Sequence, residues 1–198
     1  MNNSSNVLKR VRWLWGAALV LSVGAVLPAR AAFHLWNIDE VYTNSSGTLQ
    51  FVELTDPAGF QNFVNGMQIS ITSPDGTQTH TFTIPGDSLP GNTLNHNLLF
   101  ATSGVQAAGG PPPDYTLPNG FVFPAGGTIS FFGSNGGPYT GLPTDGVLSR
   151  TWNGGNAVNS PTNFIGQTGT VVAPEPTTIT LLVGGGVAML GLRRRRAV

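Results

Sequence analysis

Glu40 and Glu53 are the side chains best placed by spacing to do chemistry, because they lie in consecutive β-forming runs, Ile38-Asp39-Glu40-Val41 and Gln50-Phe51-Val52-Glu53-Leu54, joined through a Gly-containing turn. Two carboxylates on neighbouring strands can serve as general acid and base or bind calcium. Like charges facing across a hairpin repel unless a cation or a proton joins them. Solvated edge charges are therefore the expectation, with a calcium site at Glu40 and Glu53 as the alternative. His34, His80 and His96 are isolated from one another, and His80 falls on the apolar face of an alternating run, which suits a satisfied core or edge residue better than a ligand. Trp36, Tyr42, Tyr115, Tyr139 and Trp152 could stack on sugar rings, and Trp152 leads into the polar loop Asn153-Gly154-Gly155-Asn156. Aromatic residues of β-sandwiches are more often core. The spacings of a nucleophile elbow, a zinc-protease helix, a phosphate loop and a dinucleotide fingerprint are all absent. No enzyme and no cofactor is expected.

The elements that carry these residues read as short strands. With 27 Gly and 15 Pro in 198 residues, turns interrupt the chain too often for long helices. Strands are predicted over Leu35 to Tyr42, Leu49 to Leu54, Gly66 to Thr72, Thr79 to Ile84, Asn97 to Thr102, Gly120 to Phe123, Thr128 to Phe132 and Val147 to Trp152. Eight such runs without a helical period suggest an all-β sandwich or barrel. The clearest hairpin turns at Ser73-Pro74-Asp75-Gly76: Met67, Ile69 and Ile71 alternate before it, His80, Phe82 and Ile84 after it, and Thr79, Thr81 and Thr83 face water. Phe82 and Ile84 are expected to be buried. Gly109 to Pro113 and Gly133 to Pro143 read as loops, and Gln167 to Ala173 as a spacer.

Charge is scarce and segregated. Charged residues make up 9% of the chain, against roughly 25% in an ordinary soluble protein, so the surface must be built from hydroxyls, amides and glycine. Between Ala32 and Ala173 a single basic residue, Arg150, stands against eight acidic ones. Such a segment repels nucleic acid and anionic lipid. There is no cysteine, which excludes disulfides and thiolate metal sites.

The two ends carry the remaining basic residues. Lys9, Arg10 and Arg12 precede an apolar run from Trp13 to Leu27 and then Ala29-Arg30-Ala31, the order of a secretory signal peptide with cleavage after Ala31; an uncleaved anchor is the alternative. At the other end Pro174-Glu175-Pro176 leads into an apolar stretch, about 177 to 192, and the cluster Arg193, Arg194, Arg195 and Arg196. Proline suits a first helical turn, glutamate the positive end of a helix, and arginines both its negative end and the cytoplasmic side of a membrane. From Ile179 to Leu192 a helix would rise only about 21 Å against a hydrocarbon core near 30 Å, a poor permanent anchor. Together these features resemble the PEP-CTERM sorting signal of exported bacterial proteins. That resemblance implies recognition of Pro174, Glu175 and Pro176 by an exosortase, a membrane cysteine transpeptidase that removes the tail.

A second resemblance covers Phe33 to Phe164. The runs around Glu40 and Glu53, followed by Met67-Gln68-Ile69-Ser70 and a closing Ser160-Pro161-Thr162-Asn163, are similar to lamin-tail-like domains, which implies an immunoglobulin-like β-sandwich. Met67 stands where that family usually has Trp, and its late Val-Asp pair is not evident near Val147. The organisation expected is a signal peptide at 1–31, a β-sandwich at 32–166, a spacer at 167–173 and a sorting signal at 174–198. The functional expectation is a non-enzymatic protein, exported through an inner-membrane intermediate to the cell surface or extracellular matrix. Signal peptidase and exosortase would be processing partners, and exopolysaccharide a candidate surface partner. A carbohydrate- or calcium-binding adhesion module is the first alternative, and a small secreted hydrolase the second.

Overall fold

The computed structural model describes residues 35–132 and 135–173. Among the described residues ten strands form two sheets: β1 Asn37–Thr43, β2 Gln50–Thr55, β3 Gln68–Thr72, β4 Thr79–Thr83, β5 Asn97–Thr102, β6 Tyr115–Leu117, β7 Gly126–Phe131, β8 Asn135–Thr140, β9 Leu148–Thr151 and β10 Asn156–Val158. A single helical turn, α1 Gly104–Ala107, follows β5. The larger sheet has the order β10-β9-β1-β2-β5-β6 and the smaller β4-β3-β7-β8. All pairings are antiparallel except β5 with β6. Residues of both sheets, among them Leu54, Leu98 and Phe100 of one and Ile69, Ile71, Ile129 and Phe131 of the other, share one buried apolar cluster. The architecture is an all-β sandwich.

Alternation alone would put Ile38 and Val41 on opposite faces of β1. A bulge between Ile38 and Glu40 corrects this, so that both enter the core while Glu40 and Tyr42 turn to the outer face. That outer face is itself covered. Tyr42 and Phe51, stacked with centroids 5.2 Å apart, join Leu99, Ala101, Val105 and Val171 in a second buried cluster. With both faces covered, Gln50 through Leu54 are all buried.

The hairpin at Asp75-Gly76 is β3–β4, with Ile69 opposite Phe82 and Ile71 opposite His80. Gly76 takes a φ of 72°, and the Asp75 carboxylate accepts from Ser73 Oγ and the Thr77 amide. Hydroxyl pairs Ser70–Thr81 and Thr72–Thr79 line its solvent face, each at 3.0 Å. Ile84 is buried, but Phe82, on an edge strand, is half-buried, meeting Phe100 edge-on at 6.1 Å. Phe82→Ala should therefore cost about 2–3 kcal/mol, below the 3–5 of a fully buried Phe. Urea unfolding checks this, and an unchanged midpoint would refute the packing assigned to Phe82.

Three local expectations are corrected. The strand expected over Gly120 to Phe123 is a loop, because the Gln50 amide occupies both backbone groups of Val122: Nε2 donates to its carbonyl at 2.8 Å and Oε1 accepts its N–H at 3.1 Å. Within the loop expected over Gly133 to Pro143 lies β8, whose glycines let it approach β7 closely; a Cβ at Gly136 would lie 2.0 Å from the Ile129 carbonyl oxygen. The spacer expected over Gln167 to Ala173 is docked: Val171 is fully buried, the Val172 amide donates to the Ala108 carbonyl, and the Ala173 amide to that of Gly146, each at 3.0 Å. The signal peptide with Ala29 and Ala31, the tripeptide Pro174 to Pro176, the apolar stretch and Arg193 to Arg196 lie outside the described residues. Among the described residues no helix is long and apolar enough to cross a membrane.

Candidate functional site

The bulge in β1 brings Glu40 directly opposite Glu53 of β2. Neither is a solvated edge charge: the two residues are 5% and 2% exposed, on central strands. The physical reason is the covering segment, which supplies donors where water would otherwise be. Glu40 Oε1 accepts from Ser149 Oγ and from the Ser160 amide at 3.1 Å. Glu53 Oε1 accepts from Asn97 Nδ2 at 2.5 Å, and its Oε2 from the Thr162 amide at 2.8 Å. Asp114, just before β6, extends the pattern, with its Oδ2 accepting the Phe164 amide at 2.9 Å and that of Leu99 at 2.8 Å.

The amides of residues 160, 162 and 164 are thus received by three carboxylates in succession. An extended backbone presents alternate N–H groups to one side, and side-chain oxygens here substitute for the carbonyls of a neighbouring strand. The strap continues under the control of two buried amides. Asn159 donates from Nδ2 to the Val147 and Val171 carbonyls at 2.6 and 2.7 Å and accepts the Val171 amide at 2.6 Å. Asn163 donates to the Pro112 carbonyl and accepts the Gln167 amide.

Burial pushes Glu53 up to about 8, with the charges of Glu40 and Asp39 adding to the shift while the Thr162 amide and Asn97 oppose it. Burial also raises Glu40, against the hydrogen bonds from Ser149 and Ser160. Asp114 is raised by burial against its two backbone donors. A proton held on Glu53 near neutrality relieves the repulsion across the hairpin. The pair therefore meets the condition set by its sequence, that a proton or a cation join it. Among the described residues no group of three or more His, Asp or Glu converges as a metal site would require. Chemically, the arrangement can hold a proton and fix backbone amides, and its burial leaves little carboxylate surface for a substrate.

His80 and His96 are each tied by Nδ1 to a backbone carbonyl, of Phe121 at 2.9 Å and Phe164 at 2.8 Å, and each stacks on a phenylalanine ring. Trp36, Tyr42 and Tyr139 are core residues, with polar ends bonded to the carbonyls of Gln61, Gly146 and Phe123. Tyr115 and Trp152 pack half-buried against the core. Trp152 also lines a cleft of about 400 Å³, together with Asn37, Asp39, Thr55, Gly136 and Asn153.

Sequence spacing brings Glu40 and Glu53 together but misses Asp114, Ser149, Asn159 and Asn163, because their partners lie 12 to 109 residues away along the chain or are reached only through the strap. Two asparagines, at 159 and 163, bracket the closing loop, and both are buried. No family model, no curated protein and no solved structure matches this chain. The class defined by the fold and the site is a two-sheet β-sandwich closed by a carboxylate-clamped strap.

Proposed function

We propose that the chain is exported, held transiently in the inner membrane, clipped by an exosortase at Pro174-Glu175-Pro176, and left as a non-enzymatic domain at the cell surface or in extracellular matrix. The observation that carries this reading is the sequence of the tail itself: tripeptide, short apolar stretch and four arginines in that order, with a signal-peptide pattern at the opposite end. The docked strap supports it. Ala173 is bound through its amide to Gly146, so a cut just beyond Ala173 keeps the hydrogen bonds and buried contacts by which the described residues hold the strap. The non-enzymatic reading rests on the commitment of Glu40, Glu53 and Asp114 to backbone amides. We also infer an immunoglobulin-like, lamin-tail-like identity for the sandwich. Its support is that the opening runs and the closing Ser160–Asn163 loop, which carry the resemblance, meet through the Glu40–Ser160 and Glu53–Thr162 hydrogen bonds.

Replacing Pro174, Glu175 and Pro176 together by alanine tests the sorting reading. Alanine favours helix, so a generic anchor would be undisturbed. A transpeptidase that reads the tripeptide would lose two fixed φ angles and a carboxylate. The expected result is uncut protein in the inner membrane, heavier by the retained tail, while the wild type is found outside with an N-terminus at Ala32 or Phe33. Equal clipping and release of both proteins would overturn the proposal.

A further inference from the structure

The cleft beside Trp152 differs from the clamp next to it in one respect: its polar side chains are unspent. Asn37, Asp39, Thr55 and Asn153 make no side-chain hydrogen bond to another described residue, whereas Glu40, Glu53, Asn97 and Asn159 each do. The cleft is also built rather than incidental. Asn37 and Thr55 are cross-strand partners, the bulge turns Asp39 outward, and the Trp152 amide donates to the Asp39 carbonyl at 2.7 Å, which ties the loop after β9 to the bulge. On the far side Gly136 cannot carry a side chain, and a Cβ at Gly137 would sit 3.5 Å from the Trp152 ring, so the floor against the indole stays low.

The chemistry of the lining selects a ligand class. Among the described residues no basic side chain lines the cleft, and Asp39 lies close enough to raise both Glu40 and Glu53, so phosphates, sulfates and uronates meet a negative field. A peptide added as a strand is disfavoured, because Thr55 of β2 is flanked by Asn37 and Asn97 on its two sides and the Asp39 carbonyl already accepts the Trp152 amide. An aromatic ring beside one carboxylate, two amides and a hydroxyl suits a neutral polyol that presents C–H groups to the ring and paired hydroxyls to the acceptors and donors. The volume of about 400 Å³ sits at the low end of the roughly 300–1,000 Å³ range of small-ligand sites. We propose that this cleft binds a neutral hexose unit of a polysaccharide. It does so whether or not the export reading holds, since the cleft lies wholly within the sandwich.

The test is calorimetric titration of the full chain, in a zwitterionic detergent without a sugar headgroup, with neutral tetrasaccharides of gluco, manno and galacto configuration. Tetragalacturonate and an EDTA-treated sample complete the set. Saturable binding of at least one neutral tetrasaccharide is expected, with a Kd on the order of 0.1–1 mM for so open a site. Trp152→Ala should weaken it about tenfold or more, and Asp39→Asn by about fivefold. Because Trp152 also touches the core, the exposed Asp39→Asn and the ring-retaining Trp152→Phe keep the test sound if Trp152→Ala misfolds. Absence of binding by all three neutral sugars would overturn the proposal. So would wild-type affinity in folded Asp39→Asn and Trp152→Phe, equal binding of tetragalacturonate, or loss of binding with EDTA. Location and mass of the protein in cells report the export reading separately.

Discussion

At pH 5 the sandwich is expected to melt higher than at pH 9, by on the order of 5–10 °C, and Glu53→Gln is expected to remove much of that difference. The sign follows from the direction of the shifts. Glu53 is raised from an ordinary 4.5 to about 8, so between those values the folded protein holds a proton that the unfolded chain has released. Stability from this group is fully present below about 4.5 and is lost as pH rises through about 8, a swing on the order of a few kcal/mol. Glu40 and Asp114, also raised, act in the same direction. Asp75, exposed and lowered to about 2 by Ser73 and Thr77, acts oppositely but only in more acidic solution, below its ordinary range. Maximum stability should fall near pH 4–5. Glutamine mimics the protonated acid: its oxygen can accept the Thr162 amide, and the Asn97 side chain can turn its oxygen toward the new NH₂. Glu53→Ala, by contrast, leaves two half-buried donors unpaired and should cost about 1–3 kcal/mol even at pH 5. Thermal melts of the three proteins across pH 4 to 9 check both statements. An identical slope for the wild type and Glu53→Gln would show that Glu53 is not the titrating group.

What the sequence made legible and what it hid divide along local and non-local lines. The hairpin at Asp75-Gly76 is readable because Ile69, Ile71, Phe82 and Ile84 alternate about a turn whose glycine must take a positive φ. The strand at Asn135–Thr140 is hidden because Gly136, Gly137 and Pro138 have turn chemistry; only the closeness of β7 makes glycine useful, and only an edge position tolerates proline opposite Thr128. Gly120 to Phe123 misleads in the other direction, since its strand-like apolar run is claimed by the amide of Gln50, 72 residues away. Glu40 and Glu53 illustrate both halves. Their spacing puts two carboxylates on consecutive strands, where like charges repel unless a proton or a cation joins them, and from that repulsion solvated edge charges are the expectation. Yet whether they face water depends on a strap that arrives more than 100 residues later.

Asn159→Ala should destabilise the protein by about 2–4 kcal/mol and release the C-terminal strap, although Asn159 touches no ligand and lies in what reads as a route toward a linker. Its side chain makes three hydrogen bonds, of which the two that close on the backbone of Val171 are buried. Removing them leaves the N–H and C=O of a fully buried residue without these partners and loosens Val171, through which the strap joins the cluster of Tyr42, Phe51 and Leu99. Asn159→Asp separates the terms: it keeps an acceptor for the Val171 amide but loses both donated bonds and buries a charge, so it should be at least as damaging at neutral pH and partly restored in acid. Urea unfolding gives the magnitudes, and hydrogen exchange at the Val171, Val172 and Ala173 amides gives the location. A free spacer would exchange rapidly in the wild type and ignore both substitutions. A docked strap should protect those three amides in the wild type and lose that protection selectively in Asn159→Ala, before the amides of β2 and β5 begin to exchange.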